Sequence, residues 1–84
     1  MSYGSIVYSD TAVTSTDGVI STNSHTHFIN FFNTNESTNA IVKLNGGPRE
    51  VLIPAGKNYV EIKGDYTSFQ VLTAGVTLSV FAIG

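Results

Sequence analysis

From His25 to Ile83 apolar and polar residues alternate with a period of two, and clusters of Gly, Pro, Asn or Asp interrupt the alternation. Successive side chains on a strand point to opposite faces, so this pattern confines the chain to extended structure with one or both faces buried. The spacing predicts strands over 25–33, 38–44, 49–53, 58–63, 66–72 and 76–83. In these, Ala40, Val42 and Leu44 share one face, Val60 and Ile62 another, Phe69 and Val71 a third, and Val76, Leu78 and Val80 a fourth. Turns are expected at Asn33–Ser37, at Asn45-Gly46-Gly47-Pro48, at Pro54–Lys57, at Gly64-Asp65 and at Thr73-Ala74-Gly75. The last of these should close a hairpin. No segment joins a capping residue to an apolar i, i+3, i+4 stripe, so helix is not expected. Strands recurring roughly every 8–12 residues predict an all-β fold, a small antiparallel β-sandwich of the jelly-roll kind with about six to eight strands.

One strand stands apart. In His25-Thr26-His27-Phe28-Ile29-Asn30-Phe31-Phe32-Asn33, alternation puts Phe28 and Phe32 on one face and Ile29 and Phe31 on the other. A strand apolar on both faces is central in its sheet, with a second sheet on one side and a partner or loop on the other. Phe28, Phe31, Phe32, Phe69 and Phe81 are all expected in the core, and Tyr3, Tyr8, Tyr59 and Tyr66 at rims or contacts.

Residues 1–24 differ in texture: ten of them are Ser or Thr, and apolar residues come singly or in short runs. We read 1–24 as an extended N-terminal arm or edge strand, with a turn at Asp17-Gly18, and 25–84 as the β-domain. Ile6, Val7, Tyr8, Val13, Val19 and Ile20 are the apolar groups such an arm could dock onto a neighbour's sheet edge.

Charge and composition narrow the function. Charged residues are 12% of the 84 and Cys is absent, so neither disulfides nor thiolate metal sites supplement a small core. A surface of Ser, Thr, Asn and Gly lacks the mixed charge that keeps a monomer apart from its neighbours, which points to a chain packed against others. With a net charge of −2 and no basic residue before Lys43, nucleic acid is an unsuitable partner. Lys43, Arg49, Lys57 and Lys63 are expected either as strand-edge protection or as one mildly basic face. No stretch approaches the ~20 apolar residues of a spanning helix, and no signal peptide is expected at the N-terminus.

Few residue sets suggest chemistry. His25 and His27, two apart on a strand, would project from one face and could converge on a metal ion; around a threefold axis six nitrogens would meet. The simpler reading is that both cover the exposed start of a strand. There is no nucleophile elbow, Glu61 and Asp65 read as solvated groups, and Asn45-Gly46-Gly47 is not followed by a helix that would make it a phosphate loop. No enzymatic activity and no cofactor are expected.

Phe31-Phe32-Asn33-Thr34-Asn35-Glu36-Ser37-Thr38-Asn39-Ala40-Ile41-Val42-Lys43-Leu44-Asn45-Gly46-Gly47, the edge Ile53-Pro54-Ala55-Gly56, and the segment Ser68–Val80 together resemble small virion proteins of tailed bacteriophages. The resemblance covers about residues 28 to 84 and lies in pattern. It implies a β-sandwich decoration or cement protein of the capsid, located in the virion and bound in many copies to the major capsid or another virion protein; the strand apolar on both faces adds the expectation of a stable oligomer, a homotrimer. The alternative it implies is a fibre- or tail-associated module that binds carbohydrate or a receptor. Ile6, Tyr8, Phe28, Phe31 and Phe32 are the expected interface residues, with His25 and His27 as candidate metal ligands.

Overall fold

Alternation decides which side chains face inward, and the backbone ladders decide what they meet. The computed structural model describes residues 6–22, 24–45, 47 and 49–84; Tyr3, Gly46 and Pro48, each used in the sequence reading, lie outside the described residues. Among those described, the chain forms β1 (Ile6–Val13), a 3-10 turn (Ser15–Asp17), β2 (Val19–Ser21), β3 (Phe28–Asn33), β4 (Ala40–Leu44), β5 (Glu50–Ile53), β6 (Tyr59–Lys63), β7 (Ser68–Val71) and β8 (Leu78–Ile83). These make two four-stranded antiparallel sheets, β1-β8-β3-β6 and β2-β7-β4-β5. The protein is an all-β sandwich.

The pairings β1·β8, β2·β7, β3·β6 and β4·β5 nest around the β4–β5 hairpin, as if one long antiparallel ribbon had been wound over itself. Contacts β3·β8 and β4·β7 then complete the sheets. This winding is that of a jelly roll. Among consecutive strands only β4 and β5 are neighbours in a sheet; every other link crosses from one sheet to the other. The expected hairpin at Thr73–Gly75 is therefore corrected: β7 and β8 lie in opposite sheets, because alternation identifies a strand's face and not its partner.

Between the sheets sit Val13, Ile29, Phe31, Ala40, Val42, Leu44, Ile53, Phe69, Val71, Val76, Leu78, Val80 and Ala82, all buried. Phe31 and Phe69 meet edge to face, with ring centroids 5.5 Å apart, and Tyr8 meets Phe69 in the same way. Truncating either Phe to Ala at such a site costs about 3–5 kcal/mol.

Among the described residues, the N-terminal segment takes the second of the two expected forms, that of edge strands. β1 pairs with β8 from Ile6↔Ile83 to Val13↔Leu78, and β2 pairs with β7 through Val19↔Gln70, Ile20↔Phe69 and Ser21↔Ser68. Each is an edge strand of its sheet, Val13 is wholly buried, and Val7, Tyr8 and Ile20 pack on the core. Both strands thus belong to the same two sheets as the strands of 25–84. The 3-10 turn between β1 and β2 is held by Asp17, whose Oδ2 accepts from the Thr14 amide at 2.7 Å, and ends at Gly18 with φ of 69°. A bulge between Ile6 and Tyr8 lets Val7 and Tyr8 both reach the core.

The basic residues do not form one face. Register places Lys43 on the outer side of the second sheet and Lys63 on that of the first, while Lys57 lies 3.7 Å from Glu36 in an exposed ion pair.

Candidate functional site

The outer face of the first sheet can be laid out from the ladders. Across the sheet, one row reads Ile6, Ile83, Phe28, Lys63; the next Ser9, Phe81, Asn30, Glu61; the third Ser79, Phe32, Tyr59. Phe28, Phe32 and Phe81 are half-buried, Ile6 is 63% exposed and Tyr59 58% exposed. The corresponding face of the second sheet lacks aromatic residues and has a more polar central row, Val19, Gln70, Lys43, Glu50, beside Ser21 and Ser68, with Ile41 and Leu52 at one side; Val19 and Leu52 are themselves exposed there, as is Leu72 just after β7. What distinguishes the first face is its cluster of aromatic rings, since a sheet face turned to water is ordinarily polar.

Asn30 lies at the centre of this apolar face. It is 2% exposed, and among the described residues its Oδ1 is the buried side-chain polar atom with no hydrogen-bond partner. Leaving such an acceptor unpaired costs roughly 1–3 kcal/mol. Asn33, three residues on and on the opposite face, shows the contrast. Its Nδ2 donates to the carbonyls of Thr38 at 2.9 Å and Ile53 at 3.1 Å, and its Oδ1 accepts from the Asn35 backbone amide at 2.9 Å and the Asn35 Nδ2 at 3.1 Å. Asn33 spends its whole hydrogen-bonding capacity on pinning the β3–β4 link to β5.

The expected interface residues divide accordingly. Ile6, Phe28 and Phe32 lie on the outer face. Phe31 is corrected: at 0% exposure between the sheets it has no surface to offer a partner. Tyr8 is corrected too, because the bulge turns it inward onto Phe69. Burial raises the Tyr8 phenol above its ordinary range, helped by the nearby Asp10 and Asp17 carboxylates. Phe28, Phe32 and Phe81, expected in the core, instead furnish the face. Sequence reasoning missed Phe81, Ile83 and Asn30 as parts of it. The signal available was Phe28-x-Asn30-x-Phe32: a polar residue between two aromatics on one side of a strand whose other side is also apolar.

The two His residues sit at one end of the sandwich. The segment His25-Thr26-His27 lies just before β3 and is tied down by its backbone, with the His27 amide donating to the Ile83 carbonyl at 2.6 Å and the Gly64 amide to the His27 carbonyl at 2.8 Å. Thr26 is buried between them; its Oγ1 donates to the Gly64 carbonyl at 2.9 Å and accepts from the Tyr66 amide at 2.9 Å. Gly64 adopts φ of +147°, and a Cβ there would stand 2.7 Å from the Tyr66 ring, so this crossing requires glycine. His25, His27, Thr26, Gly64, Asp65 and Gly84 surround a shallow depression of about 410 Å³. His25 Nδ1 lies 2.7 Å from Asp65 Oδ1, with both side chains mostly exposed, so the pair adds little to stability. Among the described residues no three metal-ligating side chains come together.

No family model, curated protein or solved structure matches the chain.

Proposed function

We propose that this chain is a non-enzymatic structural protein of a virus particle, a decoration or cement subunit carried in many copies on the head of a tailed bacteriophage. The observation that carries this reading is the aromatic outer face of the first sheet, where Phe28, Phe32, Phe81 and Ile83 stand beside the exposed Ile6 and Tyr59. A domain of 84 residues has little surface to spare, and a face of this kind is accounted for by apposition to another protein. The resemblance of residues 28–84 to small virion proteins supplies the setting. The partners on this reading are further copies of the chain and a shell protein.

Mass spectrometry of gradient-purified particles, with the ratio of this chain to the major shell protein, tests the proposal together with a density map of the same particles. Many copies on the head surface are expected. Absence from particles would overturn the reading, and a few copies at a fibre tip would replace it with the receptor-binding module.

A further inference from the structure

We propose that the outer face of the first sheet closes on the same face of other copies of this chain, with Asn30 of each copy hydrogen-bonded to Asn30 of the next around the symmetry axis. The inference rests on the assembly reading above and names the occupant of the face.

Three observations point to a second copy. Asn30 is nine-tenths buried and more, sits at the middle of the face, and has an Oδ1 without a donor. A side-chain amide carries both donor and acceptor, so an identical amide across an axis answers it: two copies exchange a reciprocal pair of bonds, and three form a ring. The same face holds one carboxylate, Glu61, and one ammonium group, Lys63, with no excess of either sign, so the face that complements it is itself near neutral and apolar. Finally, the neighbouring Phe28, Phe32 and Phe81 are only half-buried. Because Asn30 Oδ1 is covered within its own chain, these rings must turn outward onto the partner's as the two faces meet.

A lone polar residue in an apolar contact acts on geometry: alternative alignments leave it unpaired, and the paired alignment is selected. Asn30 thus sets the order and orientation of the assembly, while the aromatic residues around it supply the attraction.

Sedimentation velocity and native mass measurement of the full chain test this, with thermal unfolding followed by far-ultraviolet circular dichroism to confirm that each variant is folded. The wild-type chain should form one closed oligomer at tens of micromolar. Asn30→Asp brings like charges together at the axis and should raise the dissociation midpoint at least tenfold. Asn30→Leu should stay associated and yield a mixture of sizes in place of one. The double change Phe28→Ser with Phe32→Ser should give a folded monomer. A wild-type monomer at 100 micromolar, an Asn30→Asp oligomer as tight as wild type, or an Asn30→Leu variant of single unchanged order would each overturn the inference. A monomer that nonetheless binds purified particles through Phe28 and Phe32 would overturn it while leaving the structural role in the virion standing.

Discussion

Asn33 shows how a single polar side chain can hold a loop without any regular structure. Both protons and both lone-pair directions of its amide are used within a buried site, so Asn33→Ala strands the Thr38 and Ile53 carbonyls and the Asn35 amide together. Each unpaired buried group costs about 1–3 kcal/mol, part of which water recovers, and we expect a net loss of about 2–4 kcal/mol in urea unfolding. Tyr8 makes a different prediction. A phenol whose folded pKa is raised favours the folded state fully at neutral pH and withdraws that support as the unfolded chain begins to ionise, above about pH 10. Melting temperature should therefore fall between pH 9.5 and 11.5, and Tyr8→Phe should fall less over the same interval. Neither role could be read from sequence. Asn33 looks like one more Asn in a turn cluster, and Tyr8 faces inward because of a bulge that no periodicity announces.

The strands themselves were legible where a clean alternation buried one side. Ala40, Val42 and Leu44 face the core as their spacing demands, as do Val76, Leu78 and Val80. Pairing was legible only at β4–β5, where the expected turn begins at Asn45 with φ of 56°. For β1 the sequence left arm and edge strand open, because Ser9, Asp10 and Thr11 dilute it: an edge strand binds by its backbone and needs few buried side chains. Those few are decisive. Deleting residues 1–22 removes Val13 and the packing of Val7, Tyr8 and Ile20, and leaves the ladders of β8 and β7 open. The truncated chain should show no cooperative thermal transition; a sharp transition near that of the full chain would show that the β-domain stands without β1 and β2.

At the scale of the molecule, the two outer faces differ in their aromatic content: Phe28, Phe32, Phe81 and Tyr59 all belong to the first. The candidate face was half legible: the two-sided aromatic strand signalled a partner, and Phe28 and Phe32 were found. Phe81 and Ile83 reached the face only through pairings that the sequence does not encode locally. The nested winding has kinetic consequences as well. Because β4·β5 is the local pair and each outer pair must close a longer loop, the hairpin and its β7 contact should form first. Val42→Ala is then expected to slow refolding, while Val13→Ala at the outermost pair should chiefly speed unfolding, as stopped-flow chevrons would record.

During synthesis the same winding imposes an order of another kind. β1 emerges from the ribosome before every other strand described, yet its partner β8 emerges after all of them. At 5–20 residues per second, the interval is on the order of 4–15 s. For that time β1 must wait as an unpaired strand in a crowded cell, where a longer or more apolar one would find foreign edges first. The polar Ser9-Asp10-Thr11 stretch suits such a wait, since it breaks what would otherwise be a continuous apolar edge.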